Sequence, residues 1–213
     1  MSRLKLKKDW FYVIPPLVNN INVSSEPKTK DTINLVFAGK LYPKIRNPSF
    51  LLKLINIVRK KIESFNIKLH FYGDIRDCDN EFLPYNNYIG DWIILHGMVK
   101  KLQLMDAYRN ADILINIGNA SRYQLPSKVV EYMSMGLPIL NIHSIDEDLC
   151  VKTLHEYPAS LSLLETKKIT DKMINQVCDF FLDRPQVSPL VINNILKDYK
   201  TKVIADKYLI MLK

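Results

Sequence analysis

Two short segments concentrate the side chains able to hold an anion. The first, Gly39-Lys40-Leu41-Tyr42-Pro43-Lys44-Ile45-Arg46-Asn47-Pro48, carries three cations within seven residues. It joins an apolar run to a helical pattern, and a helix start offers unpaired backbone N–H groups and a favourable dipole to negative charge. Lys40, Lys44 and Arg46 there would neutralise a pyrophosphate; the competing use is a solvated basic loop. The second is Pro126-Ser127-Lys128-Val129-Val130-Glu131-Tyr132-Met133-Ser134-Met135-Gly136-Leu137-Pro138. Ser127 and Lys128 open a helix there and add anion donors. Lys128, Glu131 and Met135 share one face by the three- and four-residue rule, while Val130, Met133 and Leu137 point toward a sheet. A Glu one turn into such a helix can accept two hydroxyl hydrogen bonds, as a ribose diol requires. An ion pair between Lys128 and Glu131 is the alternative.

These segments need elements to position them, and the apolar pattern supplies a regular alternation. Strands are expected at Ile33 to Ala38, Ile67 to Tyr72, Trp92 to His96, Asp112 to Ile117, Pro138 to Ile142 and, more weakly, Ala159 to Leu164. Helices are expected at Pro48 to Phe65, at Lys100 to Asn110 with Leu102, Met105 and Tyr108 on the buried side, and at Ser127 to Met135. Others follow at Ile145 to Glu156 and 168–183, with one or two closing helices from Pro189. Residues 74–91 read as irregular with one short helix. Strand and helix in alternation imply βαβ units, hence an α/β fold: a single Rossmann-like domain whose six-stranded parallel sheet carries helices on both faces. The domain is expected over 33–185, with closing helices over 186–213 packed on it. Residues 1–32 read as a linker-like entry, since Pro15-Pro16 prevents helix and Asn19 to Lys30 is polar.

Glycine is scarce, six in 213 residues, so each is expected where backbone geometry demands it. Gly39, Gly73, Gly97 and Gly118 each follow an expected strand, at the carboxyl edge where open parallel sheets bind ligands. Positive-φ turns explain any one of them; four together favour a ligand lying against backbone. Gly136 stops a helix ahead of Pro138, and Gly90 has no evident role. Neither the dinucleotide G-x-G-x-x-G nor the phosphate-binding G-x-x-x-x-G-K-[ST] occurs.

Composition bounds the rest. An apolar fraction of 47% and a charged fraction of 24% exclude wholesale disorder, collagen and coiled coil. Thirty Lys plus Arg against 22 Asp plus Glu give +8, which permits an anionic partner. Nucleic acid is not the expected one, because Arg is scarce and no RNA-binding signature appears. Cys78, Cys150 and Cys178 are odd in number and lack C-x-x-C spacing, so a reducing compartment and neither disulfide nor zinc are expected. The longest apolar run, Trp10 to Val18, is nine residues with two prolines, too short to span a bilayer; a soluble cytoplasmic protein is the expectation.

The strand-loop F-A-G-K-L, the block I-L-H-G-M-V-K-K-L-Q-L-M-D-A-Y-R-N-A-D-I-L-I-N and the segment P-S-K-V-V-E-Y-M-S-M-G-L-P-I-L together resemble the nucleotide-sugar-binding, C-terminal half of GT-B glycosyltransferases. The similarity is greatest to the retaining family-4 type of bacterial polysaccharide assembly and covers about residues 33–145. It implies donor-diphosphate binding by Gly39, Lys40, Lys44, Arg46, Ser127 and Lys128, ribose binding by Glu131, and base contact through Gly97, Met98 and Val99. Many members place a second Glu eight residues before the ribose carboxylate, to reach the donor sugar. Here that position is Tyr123, leaving Tyr123 and Gln124 with that role in a loop that also holds Asn119, Ser121 and Arg122. The resemblance further implies hexosyl transfer from a nucleoside-diphosphate sugar, without metal or cofactor, and an acceptor-binding domain or partner subunit carrying the catalytic histidine. The full enzyme would work in the cytoplasm, with peripheral attachment at the inner membrane face through its other half. His70, His96 and His143 lie in or beside expected strands and read as core or edge residues. The rival reading is a non-catalytic nucleotide or nucleotide-sugar sensor.

Overall fold

The computed structural model describes residues 31–211. The linker-like entry expected over 1–32 lies outside these residues except for its last two, of which Thr32 already belongs to the first strand.

Six strands, β1 (Thr32–Ala38), β2 (Asn66–Tyr72), β3 (Ile93–Gly97), β4 (Ile113–Ile117), β5 (Ile139–His143) and β6 (Ser160–Leu164), form one all-parallel sheet in the order β3-β2-β1-β4-β5-β6. Continuous apolar runs suit such strands because both faces of the sheet are covered. Ile33, Leu35 and Phe37 of β1 enter one core with α1 (Ser49–Lys61) and α6 (Asp171–Asp183); Val36 and Ala38 enter the other with α3 (Lys101–Asn110), α4 (Ser127–Met133) and α5 (Leu149–Leu154). A short α2 (Asp79–Phe82) lies between two 3-10 segments, 76–78 and 83–88, in the β2–β3 connection. The chain closes with α7 (Pro189–Ile195) and α8 (Thr201–Met211). Val187, Ile192 and Leu196 sink into the second core.

The helices owe their length to local chemistry. In α1, Phe50, Leu51, Leu54, Ile55 and Val58 form the buried stripe, and Arg59, Lys60 and Lys61 sit in the last turn where the dipole favours cations. The helix stops at Lys61 rather than reaching Phe65. Ile62 stays buried beyond the C-terminus, so the apolar period outlasts the helix. The helix expected over 145–156 shortens to α5, because the Asp148 carboxylate accepts from the Cys150 N–H at 2.7 Å and fixes the start there. Leu102 is a correction: it is 80% exposed, on the side of α3 opposite Leu104, Ala107 and Tyr108. Met135 is another, being buried rather than on the open face with Lys128 and Glu131. Across the sheet, Asn116 Nδ2 donates to Asn141 Oδ1 at 2.6 Å and Asn141 Nδ2 to Ser162 Oγ at 3.1 Å, so three strands satisfy their own buried polar groups.

On the β2–β3 side of the sheet, His70 Nδ1 lies 2.9 Å from His96 Nε2, and the His96 ring stacks on Tyr72 with centroids 4.0 Å apart. Burial lowers His70 to about 4 from its ordinary 6.5, with His96 and Lys68 adding like-charge opposition. Between those values the unfolded chain binds a proton that the native imidazole refuses. Stability contributed here is therefore present above about pH 6.5 and lost as pH falls toward 4. Urea midpoints at about pH 7 and pH 4.5 should converge in His70→Gln relative to the parent chain. An identical pH response in both proteins would contradict this account.

Candidate functional site

The strand order reverses between β1 and β4, and in open parallel sheets the crevice beyond such a reversal is where ligands bind. Its walls are the loops after these strands. The loop after β1 is pinned to its neighbour: Gly39 N donates to Tyr72 O at 2.8 Å, Leu41 N to Asp74 O at 3.0 Å, and Gly73 N to Gly97 O at 2.8 Å. Gly39 and Gly73 lie in direct backbone contact, and Gly73 has φ +129°. The glycines at this edge thus serve first to bring three strand-end turns together.

Within this frame the expected anion ligands separate. Lys40 turns toward the β2 loop, where its Nζ lies 3.0 Å from Asp77 Oδ2 and 3.7 Å from Asp74 Oδ2. Its hydrogen bond to Asp77 holds the ammonium above its ordinary pKa. Asp74 also takes both arms of the Arg76 guanidinium at 2.9 Å, which holds its carboxyl well below the usual range. Lys44 is exposed and lines a cavity between the β1 loop and the end of β4, with Gly118, Ser144 and Glu165. Arg46 alone of the three crosses the crevice. Its Nε donates to Asn119 Oδ1 at 2.5 Å, joining the β1 loop to the β4 loop, while Nη1 reaches the Lys40 carbonyl at 3.4 Å.

The second expected segment forms α4, only seven residues long. Its N-cap, Pro126, is extended (φ −62°, ψ 131°) and makes no side-chain cap hydrogen bond. A proline has no side-chain acceptor, so the first-turn N–H groups of Ser127 and Lys128 are left to outside partners. Lys128 Nζ donates to Glu131 Oε2 at 2.6 Å and to Tyr108 Oη at 3.0 Å, each of the ionised side chains about one-third exposed. The ion pair weighed from sequence therefore forms, engaging one carboxylate oxygen of Glu131.

Tyr132 locks this helix to the crevice. Its buried hydroxyl accepts from the Ala38 N–H at 3.1 Å, at the end of β1, and its ring meets Tyr108 edge-on at 5.4 Å. Sequence reasoning gave Tyr132 and Tyr108 no part in the site. A phenol in the middle of an otherwise apolar helix face is the signal that could have singled out Tyr132, because a buried hydroxyl needs a partner. Burial raises both phenols far above their ordinary range, so neither ionises at neutral pH. Asn119, named from sequence only as a polar loop residue, is 5% exposed and is the partner of Arg46.

The remaining expected positions are more open. Gly97 closes β3 with φ +66°, and Met98 beside it is 82% exposed, with Val99 half-buried. Tyr123 is 90% exposed and Gln124 is exposed too, in a loop tethered by the Arg122–Glu147 ion pair at 3.2 Å. His143 is buried, its Nδ1 2.9 Å from the Ile145 carbonyl oxygen. Two Asp-x-Asp tripeptides occur, 77–79 and 146–148; Asp77 faces Lys40 and Asp148 caps α5. Among the described residues no group of three or more His, Cys, Asp or Glu side chains is placed to hold a metal ion. Nor is any described helix long and apolar enough to cross a membrane.

A doubly wound parallel sheet with this crevice is the fold of a GT-B glycosyltransferase domain, and solved structures match it. AviGT4, a glycosyltransferase involved in avilamycin A biosynthesis, superposes with TM-score 0.67 at 14% identity, over 93% of this chain and 56% of that one. The pneumococcal O-GlcNAc transferase GtfA in complex with UDP and GlcNAc gives TM-score 0.70 at 17% identity, over 94% and 39%. Anabaena Alr3699/HepE in complex with UDP and glucose gives 0.63 at 8%, over 85% and 48%. The chain thus spans about half the length of these structures or less. No curated protein sequence matches it. Residues 32–150 match the family profile of the glycosyl transferases group 1; the chain belongs to that family.

Proposed function

We propose that this chain is the donor-binding half of a hexosyltransferase, holding a nucleoside-diphosphate sugar in the β1–β4 crevice. The observation that carries the reading is the Arg46–Asn119 bridge across that crevice, which fixes a guanidinium between the β1 and β4 loops, while Tyr132 ties α4 to the end of β1. Two of the matched structures hold UDP together with a sugar, which supports a nucleoside diphosphate as the ligand class. In this reading Arg46 and the N–H groups of Ser127 and Lys128 take the diphosphate. Glu131 takes the ribose diol, with the Oε1 atom that Lys128 leaves available, and the Gly97-Met98-Val99 turn takes the base. Gly39 lets the diphosphate approach the β1 end. Lys40 and Lys44 act through the field of the loop, since one faces Asp77 and the other lines an exposed cavity with Gly118 and Glu165. Tyr123 and Gln124 close over the donor sugar from the β4 loop.

Cationic and N–H groups fixed before the reaction stabilise negative charge as it builds on the departing diphosphate, which lowers the barrier without a metal. Retention of configuration, as in family 4, and a place in bacterial polysaccharide or glycoconjugate synthesis complete the proposal. The acceptor and the residues that act on it belong to a second half, as the greater length of the matched structures suggests. A crystal structure of the chain grown with UDP, GDP or ADP tests the placement. Diphosphate density between the Arg46 guanidinium and the start of α4 is the expected result. Density elsewhere, beside Lys40 for example, would overturn it.

A further inference from the structure

Tyr108 of α3 is fully buried and packs edge-on against Tyr132 of α4, with ring centroids 5.4 Å apart. Tyr132 is in turn the residue that ties α4 to the Ala38 backbone at the end of β1. The Tyr108 hydroxyl accepts from Lys128 Nζ at 3.0 Å. That ammonium lies 5.4 Å from the centre of the Tyr108 ring, well beyond its distance from the oxygen. The contact is therefore a hydrogen bond to the hydroxyl rather than a cation seated over the π face.

An ammonium carries three donors and no acceptor. One Lys128 donor is fixed on Tyr108 Oη and another on Glu131 Oε2, at 2.6 Å. Both ionised side chains are about one-third exposed, and an i,i+3 pair that open to water holds its own geometry weakly. Lys and Glu are also rotamer-rich, so aiming the carboxylate means freezing several bonds. The buried phenol supplies the fixed point that the pair lacks. It stands on α3, which follows the Gly97-Met98-Val99 turn directly after its N-cap, Lys100. The helix that leads out of the base contact thus carries the anchor for the ribose carboxylate.

We propose that Tyr108 is a positioning residue for the ribose contact, a role that rests on the nucleotide reading of the crevice. Acting through Lys128, it holds the Glu131 carboxylate with Oε2 engaged and Oε1 left for the diol. Without the hydroxyl, Lys128 meets solvent in place of a fixed acceptor, and the Lys128–Glu131 pair spreads over several rotamers. Some of these still meet the diol, so that contact weakens without disappearing. The base and diphosphate contacts, made by the 97–99 turn, by Arg46 and by backbone N–H groups, do not pass through Tyr108.

Isothermal titration of the full 213-residue chain with UDP, GDP and ADP, each beside its 2′,3′-dideoxy counterpart, isolates the diol. The parent chain should prefer the diol nucleotide by about tenfold to a hundredfold. Tyr108→Phe keeps the ring and should narrow that preference by about threefold to tenfold, the weight of one hydrogen bond, while affinity for the dideoxy nucleotide is retained. Lys128→Met cuts the link from its part-exposed end, without disturbing the core, and should narrow the preference as well. The double variant should narrow it no further than the larger single effect. Equal weakening of diol and dideoxy ligands in Tyr108→Phe would make Tyr108 a packing residue and overturn the proposal, as would an unchanged preference in either variant. A parent chain that binds nucleotide without preferring the diol overturns the ribose roles of Glu131 and Tyr108 and leaves the crevice as the nucleotide site. Binding of none of the nucleotides overturns the crevice reading itself.

Discussion

Gly73→Ala should cost the chain about 3–5 kcal/mol of folding stability, the largest effect expected of any single methyl group here. A Cβ at Gly73 would overlap the Gly39 carbonyl, 2.8 Å from its carbon atom, and would sit on a backbone with φ +129°. Neither atom can retreat, because Gly39 N is bonded to Tyr72 O and Gly73 N to Gly97 O. Strain and overlap therefore add. Gly90→Ala is the control: φ there is +89°, but nothing lies within 4 Å of the added methyl, so only the conformational cost of about 1–3 kcal/mol remains. Urea unfolding measures both, as a shift in midpoint with an unchanged slope. Equal losses in the two variants would show that the Gly39–Gly73 contact is not tight. Because the same contact fixes the loop that carries Arg46, any folded fraction of Gly73→Ala should also bind nucleotide more weakly.

The second large effect concerns Glu131. Replacing it with Ala should weaken nucleoside-diphosphate binding by about tenfold to a hundredfold, the equivalent of about 1.5–3 kcal/mol for hydrogen bonds to a charged group. Stability should change far less. The Lys128–Glu131 pair is a partly exposed i,i+3 contact, and such pairs contribute about 0.3–0.5 kcal/mol. The two outcomes separate binding from architecture. A variant that loses stability but keeps its affinity would make Glu131 a helix-surface residue and nothing more.

How much of this was readable in the sequence differs between fold and site. The six strands and their parallel arrangement follow from apolar runs spaced by helical patterns, and the structure agrees at each strand; their order in the sheet does not follow from those runs. Errors arose where one signal overrode another. Ile62 kept the apolar period going past the end of α1, Asp148 started α5 later than its apolar residues suggest, and Leu102 fits a helical spacing yet faces outward. The site was legible as two segments but not as a set of contacts. Lys40 meets Asp74 and Asp77, Arg46 meets Asn119, and Tyr132 meets Ala38, pairs 34 to 94 residues apart in the chain. No local pattern encodes which of three neighbouring cations finds an acid and which spans the crevice; the strand order decides it.

The central claim is that the β1–β4 crevice binds a nucleoside diphosphate. Isothermal titration of the chain with UDP, GDP and ADP, followed by the corresponding nucleotide sugars, tests it most directly. Saturable one-to-one binding of at least one nucleotide, weakened in Glu131→Ala, is the result this account predicts. Binding of none of them to a folded chain would contradict it.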